Sequence, residues 1–359
     1  MNYKNRLIEL PQNRVWRSYL GGHTLDKLIG KKNPCDSHFP EDWIASVTPA
    51  SNPGSLNELE GISKVRINGQ ELLFTDLIDH DPEYFLGADH VARHGQQPMV
   101  LVKLLDSAVR LQLQAHPTAE FARTYLGSNS GKAEAYYILD VREGTEKAFV
   151  YLGFQRPPDR AELKRCIEEQ DLVVMEKFFD KISVKTGDVL FIPGGVPHAI
   201  GGGIFMVEIM EPSDLVVRFE FERAGYTLPE SARFMNRGLD FCLDIFDFEA
   251  RPESRVRDEH MFEPRLEETH GPTAHRYHLI GAETTACFQV KKSVIKGVVE
   301  REECTFFTGV VTSGACVVKT DETATELDRF DKFFCPAGLG AYTIEAEQEV
   351  HILECFPPV

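Results

Sequence analysis

Three short stretches carry side chains able to hold a metal ion. In "VRLQLQAH", Gln114 and His116 stand at i and i+2. On an extended chain that spacing puts both on one side, able to converge on one point. Eighteen residues further on, "GKAEAYY" sets Lys132 and Glu134 on a common face by the same parity. The third stretch, "GDVLFIPGGVPHAIGG", has a turn of Pro193, Gly194 and Gly195 just before His198. Glycine supplies the backbone angles such a turn needs, and the histidine enters the strand that follows. Singly, each reads as ordinary strand polarity. Together they offer two imidazoles, one carboxylate and one amide oxygen. Such a borderline-hard set suits Zn²⁺, with Mn²⁺, Fe²⁺, Co²⁺ or Ni²⁺ as other candidates. One formal negative charge from the protein would leave the ion strongly Lewis acidic, with open positions for water or for a substrate hydroxyl and carbonyl.

Elements that would position these residues follow from the pattern around them. Strict alternation over "VRLQLQAH" predicts a strand with Val109, Leu111, Leu113 and Ala115 on one face and Arg110, Gln112, Gln114 and His116 on the other. "TAEFARTYLG" predicts a short helix stopped at Gly127, and "PPDRAELKRCIEEQD" a helix capped by Asp159. "VRINGQELLF" reads as a hairpin, and "ASNPGS" as a turn cluster. Helical spacing at Phe234, Leu239, Cys242 and Phe246 marks a helical insertion over about 223–250. "RPESRVRDEHMFEPRLEETHGPTAHR" reads as an extended charged linker, 251–276, followed by short strands over 277–359. Many short strands with Gly/Pro turns predict a mainly β chain of sandwich or barrel units. An internal echo points to two such units: "GDVLFIPGGVPHAI" aligns with "FDKFFCPAGLGAYTI", Pro193 on Pro336 and Gly195 on Gly338, with Ala341 in the place of His198. One copy would then have kept a functional side chain that the other lost.

At 359 residues the chain exceeds the usual size of one core. Its net charge of −17 disfavours phosphate backbones and anionic lipid, so neither nucleic acid nor membrane is an expected partner. Eight cysteines without a C-x-x-C pair read as thiols of a reducing compartment, and no run of 18 apolar residues occurs. Cytoplasm is the expected location. His270, His275 and His278 are irregularly spaced in the charged stretch and read as solvated, and "GGG" at 201–203 lacks the Lys-Ser/Thr of a phosphate loop.

In combination and in order, these segments resemble the type I phosphomannose isomerases of the cupin superfamily, over most of the chain. "RVWRSYLGGHTL" is similar to that family's Trp-Gly-Gly opening and "EDWIAS" to its Glu-x-Trp-x-x-Ser segment. "VKLLDSAVRLQLQAHP" resembles its Lys-x-Leu strand and Gln-x-His-Pro, and "GKAEAYYIL" its Gly-Lys-x-Glu-x-x-Tyr. "FIPGGVPHAIGGGIFMVEI" is similar to its Pro-x-Gly-x-x-His-x-x-Gly strand pair, and "PSDLVVR" to its Ser-Asp-x-x-x-Arg. The resemblance implies two cupin or jelly-roll-like barrels with a helical insertion: a catalytic barrel over 1–250 and a degenerate one over 277–359. It implies one Zn²⁺ per chain held by Gln114, His116, Glu134 and His198. Lys103, Arg218 and Ser46 would bind the sugar, with Lys132, Arg218 and Asp214 as catalytic groups. The implied activity interconverts mannose 6-phosphate and fructose 6-phosphate through a cis-enediol, in a monomer or homodimer whose partner is a small sugar phosphate.

The chain departs from the family pattern at "MEPSD", at Val217 where an aromatic is common, and at Thr118 where Asp follows "HP". Glu211, turned into the pocket, would repel a phosphate unless paired. Isomerisation or epimerisation of another sugar therefore stays open, as does a metal-bearing cupin that binds sugar without chemistry. An Fe²⁺ dioxygenase fits poorly, because Gln114 is not one of its usual ligands.

Overall fold

A computed structural model describes residues 3–52, 57–67 and 69–359. Three large antiparallel sheets dominate it. The middle sheet has seven strands, in the order Met261–Phe262, Val189–Ile192, Glu134–Val141, Ile204–Met210, Leu101–Asp106, Glu41–Ile44, Arg14–Val15. On one side lies a five-stranded sheet, ordered Ile182–Ser183, Phe149–Leu152, His198–Ile200, Gln114–Ala115, Val217–Arg218. On the other lies a nine-stranded sheet built from Arg265–Thr269 and the strands after it, joined by Ile8–Glu9 from the start of the chain.

Alternation along Glu134–Val141 shows how the layers are held. Tyr136 and Ile138 enter a core with Val150, Leu152 and Ile200 of the five-stranded sheet. Ala135, Tyr137 and Leu139 enter another with Val290, Val310 and Leu353 of the nine-stranded sheet. A strand covered on both faces must be apolar throughout, which is why "AEAYYILDV" does not alternate. The outer face of the five-stranded sheet, Leu113, Ala115, Tyr151, Ala199 and Val217, packs under Leu163, Cys166 and Ile167 of helix Arg160–Glu169 and under Cys242, Leu243 and Phe246. The mainly β, cupin-type expectation holds as facing antiparallel sheets, and the strand orders form open paths among the described residues.

Asp159 caps its helix as predicted, accepting from Glu162 N at 2.8 Å, and Gly127 ends the helical run after Phe121 at φ +65°. The hairpin pairs Lys64–Ile67 with Gln70–Leu73; Asn68 of its turn lies outside the described residues, as does the tail of "ASNPGS".

Three segments differ from expectation. Only Gln114–Ala115 of "VRLQLQAH" joins a ladder. Leu111 N instead bonds Ile200 O at 2.9 Å and Leu113 N the Glu220 carboxylate at 3.1 Å, so Leu111 packs between the sheets while Leu113 and Ala115 face the helices. The 223–250 insertion opens on a two-stranded ribbon of Glu222–Arg223 and Tyr226–Thr227, and its helical parts are a 3₁₀ turn at Glu230–Ala232 and a four-residue helix at Leu239–Cys242. Positive φ at Met235, Asn236 and Gly238 breaks the helical path between them. Finally, 251–276 is not an extended linker. It forms helix Glu253–His260, supported by Glu253–Arg257 and Arg255–Glu259 pairs one turn apart, then a strand against Val189–Leu190 and a strand of the nine-stranded sheet. Buried Val256 and the His260–Phe191 O bond at 3.0 Å tie that helix down.

Of the eight cysteines, all free, Cys35 and Cys304 are exposed, Cys287 is partly buried and five are buried. No helix among the described residues is long and apolar enough to cross a membrane.

Candidate metal centre and its cavity

The turn at 193–195 brings the two histidines together. It carries the chain from the middle sheet into the five-stranded one, and Gly195, at φ +91°, donates its N–H to His116 O at 2.6 Å. At Gly194 a Cβ would come within 2.8 Å of Pro117 O, so only glycine lets the turn press against the end of the His116 strand. His198 then pairs with Gln114 across the ladder, and Arg218 flanks Gln114 from the other side. Glu134 approaches from the middle sheet.

Ligand atoms of His116, Glu134 and His198 lie within 4.8 Å of one another, and all three residues are buried. His116 Nδ1 bonds Leu215 O at 2.8 Å and His198 Nδ1 bonds Val196 O at 2.9 Å. A carbonyl accepts only, so each ring carries its proton on Nδ1 and turns the Nε2 lone pair inward. Those Nε2 atoms stand 3.2 and 3.4 Å from the Glu134 carboxylate. Metal-binding imidazoles are oriented in this way by their outer hydrogen bond. Tyr136 donates to Glu134 Oε2 at 2.6 Å, while buried Glu134 Oε1 has no hydrogen bond of good geometry. Gln114 Nε2 is 3.3 Å from His198 Nε2; turning its amide over presents the oxygen instead, an assignment that depends on what fills the centre. The Lys132 ammonium already reaches this point, 2.8 Å from Glu134 Oε1 and 3.2 Å from His116 Nε2, so the cluster draws a cation. Burial, then the Lys132 charge, pushes the His116 imidazole down to about 3, which keeps it neutral as a ligand must be. For Glu134, burial pushes the carboxyl up, but the Lys132 charge outweighs it and holds it well below the usual range. This donor set fits a divalent transition metal.

Beside the cluster is a cavity lined by Arg17, Glu41, Lys103, Gln112, Lys132, Glu208, Asp214 and Arg218, among others. Lys103 bonds Glu208 at 3.1 Å and stands 3.5 Å from Glu41. Glu208 Oε2 and Gln112 Nε2 are buried without hydrogen-bond partners, an arrangement that suits a polar ligand. Burial, reinforced by Glu134, pushes the Glu208 carboxyl up to about 8 against the pull of Lys103. Arg218 also lines an outer groove with Ser51, Asn52, Ser128, Ser213, Ser231 and Asn236.

Lys103, Lys132, Asp214 and Arg218 thus come together with the four metal-site residues. Two expectations need correction. Ser46 lines neither space: its hydroxyl accepts from Thr48 N at 3.1 Å, because the chain turns there away from the site. Asp214 cannot serve as a mobile proton carrier in this arrangement, since Arg17 and the Ser51 N–H engage both its oxygens. Glu211 is harmless to an anion: it turns inward and accepts from Gly131 N and Ala133 N, both at 3.0 Å. Sequence reading missed Arg17, Glu41 and Glu208. Charged residues inside "RVWRSYLGG", "EDWIAS" and the apolar run "IFMVEIM" were the available signal, because a charge in a buried strand needs a reason.

No family model matches the chain. It is 25% identical over 260 residues to the mannose-6-phosphate isomerase ManA of Bacillus subtilis, covering 71% of this chain and 74% of that one. With the mannose-6-phosphate isomerase of Streptococcus mutans it shares 27% identity over 234 residues, 64% of this chain and 66% of that one. Among solved structures, the mannose 6-phosphate isomerase of Bacillus subtilis matches over 97% of this chain and 99% of its own, with TM-score 0.73 and 22% identity. A mannose 6-phosphate isomerase bound with zinc and yttrium matches over 98% and 100%, with TM-score 0.67 and 16% identity. The resemblance seen in the motifs therefore extends to the fold: the chain has the fold of the phosphomannose isomerases.

Proposed function

We propose that this chain is a zinc-dependent aldose–ketose isomerase interconverting mannose 6-phosphate and fructose 6-phosphate. The carrying observation is the pair of imidazoles, each fixed by a carbonyl on Nδ1, that aim Nε2 at one buried carboxylate beside a lysine. Similar chains named mannose-6-phosphate isomerase, and a similar zinc-bound structure, support the activity and the ion.

Gln114, His116, Glu134 and His198 would hold the zinc, which supplies Lewis acidity toward the carbonyl and adjacent hydroxyl oxygens of the sugar. Lys132 is the group placed to move the proton. Acting as the free amine, it would take the C2 proton of the aldose while water gives a proton to O1, producing the cis-enediol. It would then return that proton to C1 while water takes the O2 proton and the ketose carbonyl forms. Arg218, in the cavity wall, would bind the anionic group of the sugar. Lys103, held by Glu208 and Glu41, lines the sugar's path. Gln112 Nε2 and Glu208 Oε2 have hydrogen-bonding capacity for sugar hydroxyls.

The catalytic unit in this reading is 1–250, with 277–359 as a structural unit beneath it, in a cytoplasmic monomer or homodimer. A second reading, isomerisation of an unphosphorylated sugar, is favoured by the outer groove, whose polar lining is hydroxyls and amides apart from Asp214 and Arg218, with Pro49, Leu215, Val216, Ala232 and Met235 as its apolar part. Purification without chelators, with metal analysis and solvent-tritium exchange at C2 of mannose 6-phosphate, tests the proposal. Bound zinc with exchange is the expected result. Bound metal with exchange only into an unphosphorylated sugar selects the second reading; metal with exchange into neither leaves a binding protein.

A further inference from the structure

Arg218 and Asp214 both line the cavity, yet among the described residues no carboxylate lies in ion-pair range of Arg218. Among the described residues its guanidinium has one hydrogen-bond partner, Ala232 O at 3.2 Å. A partly buried cation beside a carboxylate would ordinarily pair with it. Asp214 is withheld by Arg17, whose Nη1 and Nη2 meet its two oxygens at 3.1 and 3.3 Å, while Ser51 N bonds it at 2.7 Å.

Arg17 is itself immobilised. Its Nε bonds Glu41 at 2.9 Å, Nη1 also reaches Asn52 at 3.1 Å, and the guanidinium sits 4.9 Å from the centre of the Trp43 ring. His38 takes the Arg17 N–H on its carbonyl at 2.8 Å and bonds Arg17 O through Nδ1 at 2.7 Å, so backbone and side chain are both fixed. This fork geometry is particular to arginine; lysine offers a single point charge.

We propose that Arg17 is a positioning residue: by clamping Asp214 it leaves the Arg218 guanidinium available to the anionic group of the substrate. The inference rests on the sugar-phosphate reading for its substrate but concerns anion binding, which can be measured alone. Arg17 would thus set the preference for a phosphorylated over an unphosphorylated sugar through Arg218.

The probe is inorganic phosphate, titrated by calorimetry into the metal-loaded wild type, Arg17→Met, Arg17→Lys, Asp214→Asn and Arg17→Met/Asp214→Asn. Arg17→Met, with wild-type metal content, should bind phosphate at least tenfold more weakly, and Arg17→Lys should be weakened too. Adding Asp214→Asn should restore affinity to within threefold of wild type, because a neutral amide does not capture Arg218. With mannose 6-phosphate as substrate, KM should rise in step while kcat stays within threefold. A merely structural arginine would not give that split or that recovery. The inference falls if wild type does not bind phosphate, if folded Arg17→Met binds it within twofold of wild type, or if the double variant shows no recovery. Should Arg17→Met not fold, Asp214→Asn alone decides: affinity at or above wild type upholds the inference, and a tenfold loss overturns it. Phosphate binding with this dependence but no turnover of any sugar 6-phosphate would sink the isomerase reading and leave this one standing.

Discussion

The metal-site cluster and the buried ion cluster of the nine-stranded sheet are built from the same residue types to opposite ends. In the sheet, Arg276 bonds Glu354 and Glu303, both at 2.7 Å, and Ser293 donates to Glu354 at 2.8 Å. Arg301 reaches Ser293 and Glu268 at 3.3 Å and His270 at 3.0 Å. Opposite charges pair there, although Arg276 Nη2 and Arg301 Nε make no hydrogen bond of good geometry. Around Glu134, two inward lone pairs and a carboxylate face one another, which is stable only around a cation. The echoed turns differ likewise. At 193–198 the chain changes sheets and delivers a buried histidine; at 336–341 a 3₁₀ turn stays within one sheet and delivers exposed Ala341. A buried polar cluster signals function when its groups share a sign, and structure when they pair.

Substitutions can break that contrast. Glu134→Ala should abolish stable zinc binding and lower activity by about a thousandfold or more, in line with loss of several kcal/mol of charge stabilisation. Metal analysis and kinetics on a protein of unchanged fold would show it. Arg276→Met should do the reverse, leaving metal content per folded chain unchanged while costing about 3–5 kcal/mol in urea unfolding, because Glu354 loses its buried partner. Tyr136→Phe removes only the hydroxyl that orients Glu134, so zinc affinity should fall about 10–100-fold by competition with a chelator.

The smallest effect concerns acid. Burial raises the Glu41 and Asp214 carboxyls, but Arg17 outweighs it, and both lie below the usual carboxylate range. Folded-state values below unfolded ones mean a stability contribution that is complete above the unfolded value, about 4. It is lost as pH falls through the folded values. Urea midpoints measured downward from pH 6 should therefore drop below about pH 4 in wild type. Arg17→Lys should begin to drop at higher pH; identical profiles would contradict the clamp.

Much of the site was legible because strand parity and the glycine turn are local. Gln114 and His116, Lys132 and Glu134, and His198 after Pro193 could all be found from spacing. Cross-sheet partners were not legible: nothing near Arg17 in the chain announces Asp214, nearly two hundred residues away, nor Glu41 as its other anchor. The charged stretch after 250 misled for a related reason. Its helix is stabilised by pairs one turn apart and by the His260 bond to Phe191 O, and the strand after it pairs with Val189–Leu190, which composition does not reveal. Ser46 misled in the opposite way, since a matching motif position does not fix which way a hydroxyl points once the chain turns at Thr48.

The central claim is that four side chains from two facing sheets close on one catalytic ion. Its most direct test is chelation of the purified protein, followed by activity on mannose 6-phosphate before and after zinc is returned. The account predicts one zinc per chain, activity lost in step with the metal and regained on its return. Full activity in a chain stripped of metal would contradict it.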